Sequence, residues 1–121
     1  LAVLSLTPEE VFRLHGKIRW AAFTVDSGAV VFCKMRPGVE SYTPEEADRS
    51  FMELGPSIIA GVSERMTPAW SAGRLESVII NFEKDSILLA KVRGGHLAVS
   101  ADRADAPKAF QEIAEHIMTL T

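Results

Sequence analysis

The feature that most constrains this chain is a hairpin that is apolar on both faces. Residues Ile18 to Val25 and Ala29 to Met35 are rich in β-branched and aromatic side chains, and Asp26-Ser27-Gly28 between them is a turn sequence. With Val25 opposite Ala29, one face carries Ala21, Phe23, Val25, Val31 and Cys33, and the other carries Ile18, Trp20, Ala22, Val30 and Phe32. A sheet with one solvated face would alternate apolar with polar residues. Neither face is polar here, so both must be covered, which predicts layers of helix, sheet and helix. Lys17, Arg19, Lys34 and Arg36 lie at the outer end, where the strands are expected to reach water.

The flanking segments supply the covering helices. Thr7-Pro8-Glu9-Glu10 reads as a capping box with proline at the first helical position, followed by Val11, Phe12 and Leu14 and closed by Gly16. The same four letters at Thr43-Pro44-Glu45-Glu46 open a longer helix running toward Met66, as repeated punctuation and not a repeated domain. Along it Phe51, Met52, Leu54, Ile58, Ile59, Val62 and Met66 cover an arc of roughly 160°, wider than the stripe of about 100° that one surface requires. Gly55-Pro56 predicts a kink or short break near Met52 to Gly55. After a loop over Thr67 to Gly73, strands are expected at Leu75 to Phe82, Ser86 to Val92 and His96 to Ala101, turning at Glu83-Lys84-Asp85 and at Gly94-Gly95. Asp105 caps a closing helix whose first residue is Pro107 and whose apolar face is Phe110, Ile113, Ala114, Ile117 and Met118. The order is α-β-β-α-β-β-β-α.

Composition narrows the class. At 121 residues the chain is read as a single domain, 1–121, with 47% apolar and 24% charged residues, as in ordinary globular proteins. No apolar run approaches the ~20 residues of a membrane span, and the opening Leu1 to Leu6 lacks the basic flank of a signal peptide. A single cysteine fits a reducing, cytoplasmic setting, and a net charge of −3 gives no long-range pull toward nucleic acid or anionic lipid. The basic cluster Lys17, Arg19, Lys34 and Arg36 beside Trp20 is too small for a nucleic-acid footprint on a net-negative chain.

Catalytic signatures are missing from the pattern. Cys33, His15, His96 and His116 have no metal-ligand spacing, and Cys33 sits inside an apolar run as a small hydrophobe. Glu112 and His116 share a helix face, as a solvated ion pair would. His15 reads as a helix C-terminal residue and His96 as a surface residue beside a turn. No serine lies in a nucleophile elbow, and Gly94-Gly95-His96 joins two strands without opening a helix, so it is not a phosphate cradle. No catalytic residue, cofactor or metal ligand is assigned. What stands out is surplus apolar surface: the wide helix and the flat, proline-free strand Leu75 to Phe82, which at a sheet edge would pair with another chain. The expected self-contact comprises Met52, Ile58, Ile59, Val62, Met66, Val78, Ile79 and Ile80.

Three stretches add a resemblance. Ile18-Arg19-Trp20-Ala21-Ala22-Phe23, Lys34-Met35-Arg36-Pro37-Gly38-Val39-Glu40 and Phe51-Met52-Glu53-Leu54 are similar to small uncharacterised archaeal proteins. With the closing Leu97 to Asp102, the order of elements resembles the roadblock (dynein light chain) family of the profilin-like group. That resemblance implies a three-layer α/β fold on a five-stranded antiparallel sheet, and a homodimer with paired third strands and packed long helices. It further implies a non-enzymatic scaffold or regulator of small Ras-like GTPases. Gly55-Pro56 departs from the family pattern. Two other classes compete. A profilin-like or PAS-like sensory module would hold a small ligand between sheet and helix, with Thr24, Tyr42 and Asn81 as polar candidates. A hydrolase or transferase would need His96 or His15 in a cleft with carboxylates.

Overall fold

The computed structural model describes residues 6–42, 45–66, 73 and 75–120. The elements are α1 (Pro8–Phe12), β1 (Trp20–Val25), β2 (Val30–Met35), α2 (Glu45–Met66), β3 (Ser77–Asn81), β4 (Asp85–Val92), β5 (Gly95–Asp102) and α3 (Ala106–Ile117), with a 3-10 turn at Met118–Leu120. The strands form one antiparallel sheet in the order β2-β1-β5-β4-β3. Both faces are covered, as the doubly apolar hairpin requires. Phe23, Leu88 and Val99 pack with Val11 and Phe12 of α1 and Phe110 and Ile113 of α3. Trp20, Ala22, Leu89 and Ala98 pack with Met52 and Ile59 of α2.

The faces of β2 differ from the alternation expected for an unbroken hairpin. Val25 N–H does bond to the Ala29 carbonyl (3.0 Å), and Thr24 pairs with Val30. The register then shifts, so that Phe23 pairs with Phe32 and Ala22 with Cys33. Val31 is the extra residue of a bulge and is 53% exposed. One inserted residue sends every later side chain to the opposite face. Phe32 therefore joins Phe23, and Cys33 joins Trp20. Ile18 precedes β1 and packs on the Phe23 side, not with Trp20.

The caps follow the sequence closely at one end and not at the other. Thr7 Oγ1 accepts from Glu10 N–H (3.2 Å) and Glu10 Oε1 accepts from Thr7 N–H (3.1 Å), completing the capping box. The helix stops at Phe12, short of Gly16. Arg36 explains the stop. Its guanidinium donates to the carbonyls of Phe12 (2.8 Å), His15 (2.7 Å) and Ile18 (2.6 Å) and lies 5.1 Å from the Phe12 ring. The carbonyls a helix leaves unsatisfied at its C-terminus are thus taken by an arginine from the end of β2. Arg36 is an internal tie and not part of a solvent-facing basic cluster. His15, beyond the helix, accepts from Lys17 N–H on Nδ1 (3.0 Å). That places its proton on Nε2, which meets Glu112 Oε2 at 2.5 Å. Glu112 thus reaches across to α1's end and does not pair along its own helix with His116.

The long helix runs from Glu45 to Met66 with Pro56 inside it, without the expected break. Gly55 is buried, and a Cβ there would stand 3.3 Å from Leu89 Cδ2 and 3.6 Å from Phe51 Cε1. Glycine thus lets the helix lie close on β4. The proposed opening Thr43-Pro44 and the loop residues 67–72 lie outside the described residues. At the far end, α3 begins at Ala106, one residue before Pro107, and buries Ala106 and Ala109, whereas Ala114 is exposed. The side chain of Met118 lies outside the described ones.

The β4–β5 turn uses its two glycines differently. Gly94 has φ +80°, a conformation that favours glycine. Gly95 pairs with Val25, and a Cβ on it would fall 2.1 Å from the Thr24 carbonyl oxygen. Gly95→Ala is expected to force β1 and β5 apart at the turn end of their ladder and to lower stability by about 3 kcal/mol in urea denaturation. A loss below about 0.5 kcal/mol, typical of surface changes, would show that β1 and β5 do not approach this closely.

Candidate functional site

Two features of the fold could carry function: an open strand edge and a cavity. The strand β3 pairs only with β4 among the described residues. Lys91 N–H bonds to the Glu76 carbonyl (2.9 Å) and Phe82 N–H to the Asp85 carbonyl (2.7 Å). Antiparallel ladders alternate bonded and non-bonded pairs. Glu76, Val78, Ile80 and Phe82 therefore use their backbone groups on β4, and Ser77, Ile79 and Asn81 turn theirs outward. The strand carries no charge, no proline and no bulge. The opposite edge is different: β2 holds the Val31 bulge and Lys34, and Arg36-Pro37 follow it, devices that discourage edge pairing.

The residues expected to form a self-contact divide among several environments. Val78 and Ile80 are half-buried, opposite Leu89 and Ile87 on the α2 side of the sheet. Ile79 lies on the other face, opposite Leu88, and is 52% exposed. Met52 and Ile59 are enclosed within the protomer against its own sheet, and Ile58 is half-buried on the flank of α2. The side chains of Val62 and Met66 lie outside the described ones. Leu54, which sequence reasoning left out of the contact, is 64% exposed on the flank that also bears Ile58. Its place at the end of the helix's apolar arc was the available signal.

The cavity, about 420 Å³, lies between the sheet and the N-terminal half of α2. Its base is a row of three residues in register on adjacent strands, Trp20, Ser100 and Ile87. Phe51 and Asp48 of α2 line one side, and Phe82 to Asp85 of the β3–β4 turn line another. Arg19 and Tyr42 stand at its rim, with the guanidinium carbon 4.3 Å from the phenol ring centre. Arg19 is also tied to the Glu40 carbonyl (2.7 Å) and to Asp102 (3.5 Å). Tyr42 Oη donates to Asp102 Oδ1 (2.7 Å), and this bond to a carboxylate raises the phenol's pKa. Trp20 stacks edge-on to Phe51 at 6.3 Å.

Two residues that line this cavity each carry one enclosed side-chain atom without a hydrogen-bond partner. Trp20 Nε1 and Asp85 Oδ1 are buried without a hydrogen bond. Burial pushes the Asp85 carboxyl up to about 6; Asp102 and Asp48 add to the rise, and Arg19 and the Ser86 N–H oppose it. Of the other polar candidates, Tyr42 reaches the cavity but Thr24 and Asn81 do not. Asn81 Oδ1 accepts from Ser86 Oγ (2.5 Å). Thr24 faces His96 across β1 and β5, and Thr24 Oγ1 and His96 Nδ1 are both without partners. Burial, reinforced by Lys91 and opposed by Asp26, lowers the His96 pKa. Among the described residues no three His, Cys, Asp or Glu side chains are grouped to hold a metal ion, and no helix is long and apolar enough to cross a membrane.

No protein-family model matches the chain, and no curated protein matches it. Solved structures do. A roadblock/LC7 domain from Streptomyces avermitilis is 14% identical, with 98% of this chain and 94% of that one covered at a TM-score of 0.68. MglB with a tetrameric arrangement is 17% identical over 98% and 93% of the two chains, at 0.65. The gliding protein MglB of Thermus thermophilus is 16% identical over 97% and 96%, at 0.61. What is shared at these identities is the fold: a roadblock-like α/β architecture with five antiparallel strands.

Asp85 gives the cavity a pH signature. Its folded pKa, about 6, lies above the ordinary carboxylate value of 3.8. The fold thus favours the protonated acid, and that stabilising contribution is complete below about pH 4 and lost as pH rises through 6. Solvent reaches this half-buried carboxyl, so the loss is on the order of 1 kcal/mol. Thermal melts between pH 4 and 7 should show the decline in the natural chain and a flatter profile in Asp85→Asn. Parallel profiles would place the carboxyl in water.

Proposed function

We propose that this chain is a self-associating protein-interaction module, without catalytic chemistry of its own, that joins copies through the edge of β3 and the exposed flank of α2. The observation that carries the reading is the outer edge of β3: three residues with outward backbone groups, no charge, and a half-exposed isoleucine at the centre. A second β3 related by a two-fold axis at Ile79 would bring Ser77 opposite Asn81 and Ile79 opposite its counterpart. About six backbone hydrogen bonds would form without bringing like charges together. Glu76 would then meet Phe82. The exposed Leu54 and half-buried Ile58 would extend the contact onto α2. Gly55 faces the protomer's own sheet, which supports a contact made by the Leu54 and Ile58 flank. The tetrameric arrangement of one MglB neighbour supports self-association in this fold.

The finer reading is that the assembled module scaffolds or regulates a small Ras-like GTPase, as the resemblance to roadblock domains implies. Light scattering behind a sizing column tests the assembly. The natural chain should elute as a dimer or larger at tens of micromolar, and Ile79→Lys as a folded monomer. Ile79 is the better probe than Ile80, whose half-buried side chain also serves the protomer. A natural chain that is monomeric at that concentration would contradict the proposal. The GTPase reading predicts that a Ras-like GTPase from the same organism binds the assembled chain with an affinity that differs between its GDP and GTP states; equal or absent binding across that organism's Ras-like GTPases would refute it.

A further inference from the structure

We infer that Glu76 of one copy and Lys84 of the next form a reciprocal pair of ion contacts across the β3 edge. These contacts fix the strand register and select a second copy of this chain as the partner of that edge. They rest on the self-association proposed above and supply the residues that give it specificity.

The backbone alone does not set a register. Ser77, Ile79 and Asn81 all turn their N–H and C=O groups outward, so a two-fold axis could pass through any of them. The strand itself is uncharged, and the nearest charges lie just outside it: Glu76 before, and Glu83, Lys84 and Asp85 after. With the axis at Asn81, the turn residues Glu83 and Lys84 would run alongside Ile79 and Val78. With the axis at Ser77, Glu76 would face Val78. With the axis at Ile79, Glu76 faces Phe82 of the second copy and is diagonal to Lys84. That register spares Val78 and Ile79 a charged residue opposite them and sets opposite charges side by side.

The two side chains share a face. The bond from Lys91 N–H to the Glu76 carbonyl (2.9 Å) carries the β3–β4 register back to Glu76 and puts it on the α2 side with Val78 and Ile80. Phe82 and Lys84 line the cavity beneath α2 and so lie on that side too. Glu76 and Lys84 are exposed, and neither side chain has an ion pair or hydrogen bond among the described residues. Lys91, opposite Glu76 on β4, directs its ammonium to Asp26 Oδ1 (2.8 Å) and the Gly95 carbonyl (3.2 Å). Two anions share the turn with Lys84. Asp85 is half-buried, with Oδ1 enclosed in the protomer, and Arg103, which donates to the Phe82 carbonyl (3.0 Å), offsets Glu83. Lys84 is left as the turn's cation for an incoming carboxylate. Diagonal neighbours in an antiparallel pair stand about 7–8 Å apart, within the combined reach of a glutamate and a lysine.

Charge exchange tests the pairing, with dimer affinity read by sedimentation over a concentration series at low ionic strength. Glu76→Lys and Lys84→Glu should each weaken the homodimer by about tenfold or more, because each brings like charges together twice. An equimolar mixture of the two variants should assemble about as tightly as the natural chain, since both contacts then join opposite charges. The chain carrying both exchanges should dimerise that tightly by itself. The penalty on the single variants should shrink in about 1 M salt, where the screening length is about 3 Å. Recovery in the mixture also shows that both variants fold. Single variants that dimerise like the natural chain, or a mixture no tighter than its components, would overturn the pairing and leave β3 association standing. A natural chain that is monomeric throughout would overturn the association and the pairing together.

Discussion

Covering both faces of a single sheet determines how everything else in this protein is arranged. Phe23 and its neighbours need α1 and α3, and Trp20 and its neighbours need α2. With the faces sealed, the sheet edges, the exposed flank of α2 and the space beneath its N-terminal half are left open among the described residues. The two edges are treated oppositely. On β2 a bulge and Lys34 close the edge to pairing, whereas β3 keeps a flat, uncharged run. Buried polar atoms without a partner among the described residues fall in two places, on Trp20 and Asp85, which line the cavity, and on Thr24 and His96, paired across β1 and β5.

Connections between layers rely on a few polar ties. Arg36 reaches from the end of β2 to three carbonyls around the end of α1, fixing the first helix against the sheet edge. His15 and Glu112 join that same end of α1 to α3. On the other side, Arg19, Tyr42 and Asp102 link the segment after β2 to the end of β5. Arg19 and Arg36, which the sequence groups with Lys17 and Lys34 in a solvent-facing basic cluster, hold the layers together. Close backbone approach does the rest, at Gly55 under α2 and at Gly95 beside Thr24.

Much of this was legible in the sequence, because periodicity and caps are local. The Thr7 capping box, the α2 span and the order of elements depend on residues within a few positions of one another. The uncharged run of β3 was legible, but its place at the sheet edge was only a condition there, because an uncharged run suits a central strand as well. The register of β2 could not. With both faces apolar, sliding the strand by one residue swaps one hydrophobic set for another, so the pattern carries no mark of the Val31 bulge. The roles of Arg36 and Asp85 were hidden for a different reason: each depends on partners far along the chain. Gly55 was read as a breaker because a helix-interior glycine before a proline has that local meaning; its contact with Leu89 is tertiary.

Self-association through β3 depends on the outward backbone of that strand, and amide hydrogen exchange reads it directly. In a self-associated state the amides of Ser77, Ile79 and Asn81 should be protected at high protein concentration and should lose that protection on dilution. Those of Val78 and Ile80 should stay protected throughout by β4. Rapid exchange at Ser77, Ile79 and Asn81 at every concentration, with Val78 and Ile80 protected, would mean that the edge meets only water and would contradict the account.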